Sequence, residues 1–391
     1  MGLIVQKFGG TSVKSAESRK AVLGHILKAK EQGHDVVVVV SAMGRRGDPY
    51  ATDTLIDLLR EQGGKINPKT QDLIMSCGEI ISACVMATYI EAQGVKAEAM
   101  TGFQAGILTT EDFGNADIIK VYPEQIMEKL KEGKVVVVAG FQGRTEKNDI
   151  TTLGRGGSDT TAVVLGGYLK ADLVEIYTDV PGIAVTDPRL VPEAQFIPRL
   201  SYEETITLAE NGAKVIHPRA VKAAREFDLK LRIKSTFDES EGTLVGPERS
   251  DLIVSGISLT RDFTAARYER EKTFSDDYVK KLQGLGIDKV IYEDDAGQKL
   301  VLINEEDKDA AGSLANELNA EVTFLESMSK VTVVYKDTVC SKAVDEKIAS
   351  SLSQQDIPVL AKKVQTNFSS YIVKNDLAEK CVKVIYKAYF N

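Results

Sequence analysis

The chain has 391 residues, 43% hydrophobic and 27% charged, with a formal net charge of −8. This supports packed cores in two or three domains and excludes wholesale disorder, while the acidic balance argues against a nucleic-acid-binding surface. The longest purely apolar runs, Val36–Val40 and Val135–Ala139, are short, so no membrane span is expected, and the start MGLIVQKFGG lacks the form of a signal peptide; the expected location is the cytoplasm.

In chain order, Leu3–Phe8 reads as a strand, and Ser15 as the cap of a helix running to about Gln32 and stopped by Gly33. Val36–Ser41 is a buried strand. Asn67-Pro68 opens a long helix that ends near Gln93. A helix over Pro123–Glu132, a strand over Lys134–Gly140, a helix over Ser158–Leu169, a strand over Leu173–Thr178 and a helix over Pro218–Phe227 follow. This alternation predicts an α/β fold with a mostly parallel sheet between helices. Phe237–Asp251 is polar and turn-rich and reads as a linker. Beyond it, Val331–Tyr335, Lys342–Ser351, Val359–Val364, Tyr371–Val373 and Asp376–Tyr389 read as β-α-β-β-α, and Phe263–Phe324 as a noisier version of the same unit.

The four cysteines form no CxxC and the three histidines no zinc-spaced cluster, so no metal site built from side chains is expected. Neither GxxxxGK[ST] nor a strand-borne GxGxxG occurs. Two glycine-rich segments stand out instead: Lys7-Phe8-Gly9-Gly10-Thr11-Ser12 after the first strand, and Thr152–Asp159 (TLGRGGSD) before a helix. Both fall where open α/β sheets bind ligands, and glycines let backbone N–H groups approach a phosphate. Lys7 adds a point charge, and Arg155 a fork suited to a carboxylate. Two ordinary tight turns are the plain alternative; a cation in each favours a phosphate site. Glu79 lies mid-helix among Ile74, Ile80, Ile81 and Val85, where a carboxylate calls for a cation unless the helix face is solvated. His217 precedes Pro218 at a helix start and reads as a cap or packing residue.

KFGGTSV (Lys7–Val13), SAMG (Ser41–Gly44), SCGE (Ser76–Glu79), TTLGRGGSDTTA (Thr151–Ala162), TDVPGI (Thr178–Ile183), TDPR (Thr186–Arg189) and AKVIHPRAV (Ala213–Val221) resemble the aspartate kinases. The likeness is to the monofunctional bacterial type with two C-terminal ACT modules. It implies an amino-acid-kinase fold over 1–245, then two small α+β, ferredoxin-like modules over 246–325 and 326–391, with the first strand after the linker (near Ile253–Thr260) joining the second module. The implied reaction is ATP- and Mg2+-dependent phosphorylation of the β-carboxylate of L-aspartate, opening the route to diaminopimelate and lysine, threonine and methionine. Glutamate or N-acetylglutamate kinases of the same fold, and a non-catalytic amino-acid sensor, are the alternatives.

The resemblance implies roles residue by residue. Lys7 contacts the transferred phosphoryl group and Asp159 organises Lys7. Arg155 holds a carboxylate of aspartate and Glu79 its ammonium, with Thr52, Gly156 and Ser158 completing the pocket. Lys7, Phe8, Gly9, Gly10, Ser41, Thr178, Asp179, Ala184, Arg189, Lys214 and Val215 fall at nucleotide positions. Ala184 stands where the family often has Tyr, which removes an adenine stack. The segments Glu271–Asp277 and Lys336–Ala343 lack the glycine common in effector loops, leaving lost feedback, a changed effector (lysine, threonine or diaminopimelate) or a purely dimerising role open. A homodimer or homotetramer through the ACT modules is expected.

Overall fold

Five consecutive valines end the second strand, and Val36, Val37, Val38, Val39 and Val40 are all fully buried. A strand buried on both faces belongs inside a parallel sheet covered by helices on each side. The computed structural model, which describes residues 2–268, 273–285, 287, 291–294, 298–336 and 338–390, places it there. The strand lies in an eight-stranded sheet with the spatial order Arg199–Ser201, Thr243–Gly246, Leu231–Ser235, Leu173–Thr178, Leu3–Phe8, Asp35–Val40, Val135–Ala139, Ala97–Met100. Every neighbouring pair is parallel except Leu231–Ser235 with Thr243–Gly246.

One face of the sheet packs Val36, Val38, Val40, Val135 and Val137 against Val22 and Ile26 of the helix Ala16–Glu31 and Met86 and Ile90 of the helix Pro68–Glu91. Each such side chain contributes about 1.5–3 kcal/mol on burial. Ser15 caps the first of these helices with a reciprocal box to Ser18. The second starts at the cap Asn67 with Pro68 behind it. By length and composition alone, Pro68–Glu91 could cross a membrane. The rule of unbroken apolar runs overlooks it because Ser76, Gly78, Glu79, Ser82 and Thr88 interrupt the run without lowering the average much. Its buried face instead packs on the strands Ala97–Met100 and Val135–Ala139.

A small sheet ordered Ile118–Val121, Ile107–Thr109, Gln142–Arg144, Ile150–Thr152 stands beside the large one. Its last two strands form a hairpin that delivers the second glycine-rich segment. The expected linker needs correction: Thr243–Gly246 within it is a strand of the large sheet, and Thr243 Oγ1 donates to the Ile197 carbonyl at 2.6 Å and accepts from the Ile183 N–H at 2.9 Å. Polar, turn-rich flanks hid a short strand, TLVG, whose parallel partner Arg199–Ser201 is distant in sequence.

Two compact units result. The first comprises Met1–Ile183, Phe196–Ala209 and Lys214–Arg249; the second comprises Ala184–Gln195, Glu210–Ala213 and Ser250–Asn391. In the second, six strands close into a barrel ordered Val254–Tyr268, Lys299–Asn304, Ile291–Glu293, Ala361–Val364, Phe368–Lys374, Val322–Tyr335. The two long strands each serve twice. Residues 263–268 pair with Lys299–Asn304 and with 322–328, whereas 254–260 pair with 330–335, which in turn pair with Phe368–Lys374. Alternate residues face opposite ways, as the pleat requires. Leu300 and Leu302 join Phe263, Tyr292 and Ile372, while Val301 and Ile303 pack with Tyr278, Leu282 and Leu314 from the helices Thr273–Gly284 and Lys308–Glu317.

Candidate active site

Parallel register aligns the carboxyl ends of the central strands. Phe8 lies opposite Val40 and Tyr177, Val40 opposite Ala139, and Thr178 opposite Ser235. The residues that follow, Gly9, Ser41, Gly140 and Thr236, therefore share one sheet edge, the place where α/β sheets take ligands. Gly10 is fixed there by contact: a Cβ on it would lie 2.6 Å from the Ala42 carbonyl oxygen and 2.7 Å from that of Gly44. Its own carbonyl accepts the Gly44 N–H at 3.1 Å, so the Lys7–Ser12 and Ser41–Gly44 loops touch backbone to backbone.

Lys7, second to last in its strand, reaches across to Asp159 in the first turn of the helix Gly157–Leu169, with Nζ 2.7 Å from Oδ1. Both side chains keep a small exposed fraction, 12% and 13%, so the pair faces the edge without being sealed. Asp159 lies in the first turn of that helix, at the positive end of its dipole. Gly156 precedes this helix in the left-handed region, φ 69°. A Cβ there would fall 2.2 Å from His217 Cβ. His217 itself caps the helix Pro218–Glu226, its Nδ1 accepting the Arg219 N–H at 3.3 Å. Burial holds the imidazole below its ordinary pKa, which keeps the acceptor nitrogen free of a proton.

Glu79 is 3% exposed. Its Oε1 accepts the Ala42 N–H at 3.0 Å, and its Oε2 is buried without a hydrogen-bond partner. Burial pushes the carboxyl up to about 8, the Ala42 hydrogen bond opposing this in part. No cation neutralises it among the described residues. Ser158 is buried against Gly140, where a Cβ would meet Ser158 Oγ at 3.0 Å. Arg155 is exposed, and among the described residues its guanidinium makes no ion pair. Thr52 is the first residue of the helix Thr52–Arg60 and is half-buried.

Thr178 and Asp179 end their strand at the same edge. The Thr178 hydroxyl donates to Asp179 Oδ1 at 3.2 Å, and Arg45 Nη2 lies 3.3 Å from Asp179 Oδ2. Lys214 is exposed and Val215 half-buried, just before the His217 cap. Ala184 and Arg189 belong to the second unit, where Arg189 pairs with Asp187 at 2.6 Å. The first unit thus brings together Lys7, Phe8, Gly9, Gly10, Ser41, Thr178 and Asp179 at adjoining strand ends, with Asp159 against Lys7, Gly156 against His217 and Glu79 against the Ser41–Gly44 loop. Sequence reasoning missed two residues that hold this arrangement, Asp72 and Arg219. Asp72 could have been noticed as the acid two helical turns before Glu79, on the same face.

The chain matches the model of the amino acid kinase family over residues 2–235. It is 40% identical to aspartokinase 1 of Bacillus subtilis over 371 residues, covering 92% of each chain. It is 35% identical to the aspartokinase of Geobacillus stearothermophilus over 401 residues, covering 100% of this chain and 97% of the other. Its fold matches E. coli aspartokinase III, solved with aspartate and ADP, at a TM-score of 0.82 and 24% identity over the whole of both chains. The same E. coli protein solved with lysine and aspartate matches at 0.78 and 24% identity, again over the whole of both chains. Backed by sequence identity along nearly its whole length, the chain belongs to the amino acid kinase family and, within it, to the aspartokinases.

Proposed function

We propose that the edge formed by the two glycine-rich loops transfers the γ-phosphoryl group of ATP to the β-carboxylate of L-aspartate, giving 4-phospho-L-aspartate. The observation that carries this is the Lys7–Asp159 pair, 2.7 Å apart, bridging the two loops at the carboxyl ends of the central strands. The acceptor carboxylate is already ionised at neutral pH, its reference pKa being about 3.9, so no general base is needed. The obstacle is the approach of an anion to a polyanion, which positioning and charge neutralisation overcome.

Lys7 neutralises the phosphoryl oxygens, Asp159 holds Lys7 in place, and the N–H groups of Gly9 and Gly10 line the phosphates. Arg155, which makes no ion pair among the described residues, takes a carboxylate of aspartate. Glu79 takes the ammonium on its unpartnered Oε2. Thr52, Gly156 and Ser158 complete that pocket. Phe8, Ser41, Thr178, Asp179, Lys214 and Val215 form the nucleotide side, and Ala184 and Arg189 are assigned to it by motif. Mg2+ would arrive on the triphosphate, with Asp159 and Asp179, both oxygen donors at this edge, as the carboxylates that would hold it. The ion supplies charge neutralisation at the phosphates.

The C-terminal unit is read as two ACT modules over 246–325 and 326–391, the second completed by strand 254–260, that bind an amino-acid effector and pair two or four chains. The pairing of 254–260 with 330–335 supports that division. Of the glycine-poor effector segments, Glu271, Lys272 and Asp337 lie outside the described residues. The reaction belongs in the cytoplasm, at the entry to diaminopimelate, lysine, threonine and methionine. A hydroxamate assay with ATP and Mg2+ tests the reading. Aspartate should yield the trapped acyl phosphate, and glutamate and N-acetylglutamate should not; equal turnover of glutamate would overturn it.

A further inference from the structure

The segment that carries Arg155 is gripped from two sides by side chains with no part in the chemistry described above. On one side is Asp72, 1% exposed, on the helix that bears Glu79. Its Oδ2 accepts the Thr152 N–H at 2.7 Å and the Gly114 N–H at 2.9 Å, and its Oδ1 accepts the Thr152 hydroxyl at 2.9 Å. On the other is Arg219, second residue of the helix Pro218–Glu226. Its guanidinium donates to the Leu153 carbonyl at 2.6 Å, donates to the Ala116 carbonyl and pairs with the Asp117 carboxylate. The gripped pieces are bonded to each other, the Ala116 N–H donating to the Thr152 carbonyl at 2.9 Å.

The backbone donors of this double strand end are thus met by a carboxylate and its acceptors by a guanidinium. Bonds to charged groups are the stronger kind and the more demanding of direction. Burial raises the Asp72 carboxyl despite its three hydrogen bonds, so keeping an acid here has a cost that mere strand capping does not explain. Arg155 follows Leu153 by two residues. Asp72 shares a helix with Glu79, and Arg219 follows Lys214 and Val215 in one short segment.

We propose that Asp72 and Arg219 are positioning residues for the amino-acid acceptor: between them they fix Thr152–Gly157, and so set where Arg155 meets a carboxylate relative to Glu79. This rests on the reading of the site as an aspartate kinase. Its signature is a KM effect larger for aspartate than for ATP, and cleanest in Thr152→Val, because Arg219 lies in one segment with the nucleotide-side residues Lys214 and Val215 whereas Thr152 does not.

The test uses the full chain with Thr152→Val, Arg219→Lys and Arg219→Met, measuring KM for aspartate, KM for ATP, kcat and melting temperature. Thr152→Val deletes one hydrogen bond to Asp72 and should raise the aspartate KM about 3–10-fold. Arg219→Met removes every donor and should raise it more than about 10-fold, with Arg219→Lys recovering part of the loss because one donor returns. The ATP KM should stay within about twofold in Thr152→Val and change less than the aspartate KM in the Arg219 variants. Equal changes in both KM values, or an unchanged aspartate KM in folded Thr152→Val, would overturn the proposal. Should Arg219→Met not fold, Thr152→Val and Arg219→Lys decide by the same criterion. Wild-type protein that fails to phosphorylate aspartate would instead refute the functional reading; active wild type with insensitive variants refutes the positioning role alone.

Discussion

Glu79 gives the sharpest test because its two oxygens differ so much. One accepts a backbone N–H at 3.0 Å and the other, equally buried, meets nothing. With the carboxyl pushed up to about 8, the empty enzyme holds a proton there at neutral pH. Titration about that value leaves about 1% of the sites ionised at pH 6 and about 10% at pH 7. An ammonium seated on Oε2 requires the ionised form, so aspartate binding must expel the proton. The aspartate KM should therefore fall about ninefold from pH 6 to 7, about fivefold from pH 7 to 8, and then level off. Glu79→Gln should flatten this profile and raise the limiting KM at pH 8.5, while the ATP KM stays unchanged in both proteins. Stability follows the same group. Between pH 4.5, the ordinary value, and about 8, the folded chain keeps a proton that the unfolded chain has released, so stability declines as pH rises through that window. At about 1.4 kcal/mol per pH unit the ceiling is about 5 kcal/mol. Glu79→Gln should thus melt higher than wild type at pH 8 and lose that advantage at pH 5. An aspartate KM that is flat from pH 6 to 8.5 in wild type, or an unchanged slope in Glu79→Gln, would refute the reasoning.

Three further outcomes are expected. Lys7→Ala should lower kcat by orders of magnitude with the melting temperature little changed; turnover near the wild-type level in the hydroxamate assay would remove Lys7 from the reaction. Gly156→Ala places a methyl group 2.2 Å from His217 Cβ on a left-handed backbone, and should destabilise the first unit by about 2–5 kcal/mol, read by denaturant unfolding, with loss of aspartate saturation. Lysine, threonine and meso-diaminopimelate, titrated into the aspartate reaction, should reveal one inhibitor; insensitivity to all three would leave the C-terminal unit with assembly alone.

The parts of this molecule written locally were open to reading. Runs of valine announce strands buried on both faces, Asn67-Pro68 and His217-Pro218 announce helix starts, and glycines placed after a strand and before a helix announce the ligand edge. The parts written at long range were not. The small sheet is built of strands three or four residues long, too short to show a period, and its placement depends on Asp72 meeting Thr152 80 residues away. Arg219 reads as one more charge on a helix until Leu153, 66 residues earlier, is seen beneath it. Thr243–Gly246 was hidden by its polar flanks, since a strand next to the edge of a sheet can be as short as four residues when its neighbours supply the register.

Strand 254–260 is synthesised before every other strand of the closed barrel, yet its neighbour 330–335 emerges some seventy residues later. Until then its hydrogen-bonding edge stands bare, a template for the wrong chain. A protein shortened after residue 325 would be left with that edge for good. The C-terminal unit is therefore a poor candidate for dissection at its apparent midpoint, and expression trials of the halves should yield aggregates where the intact unit stays dispersed.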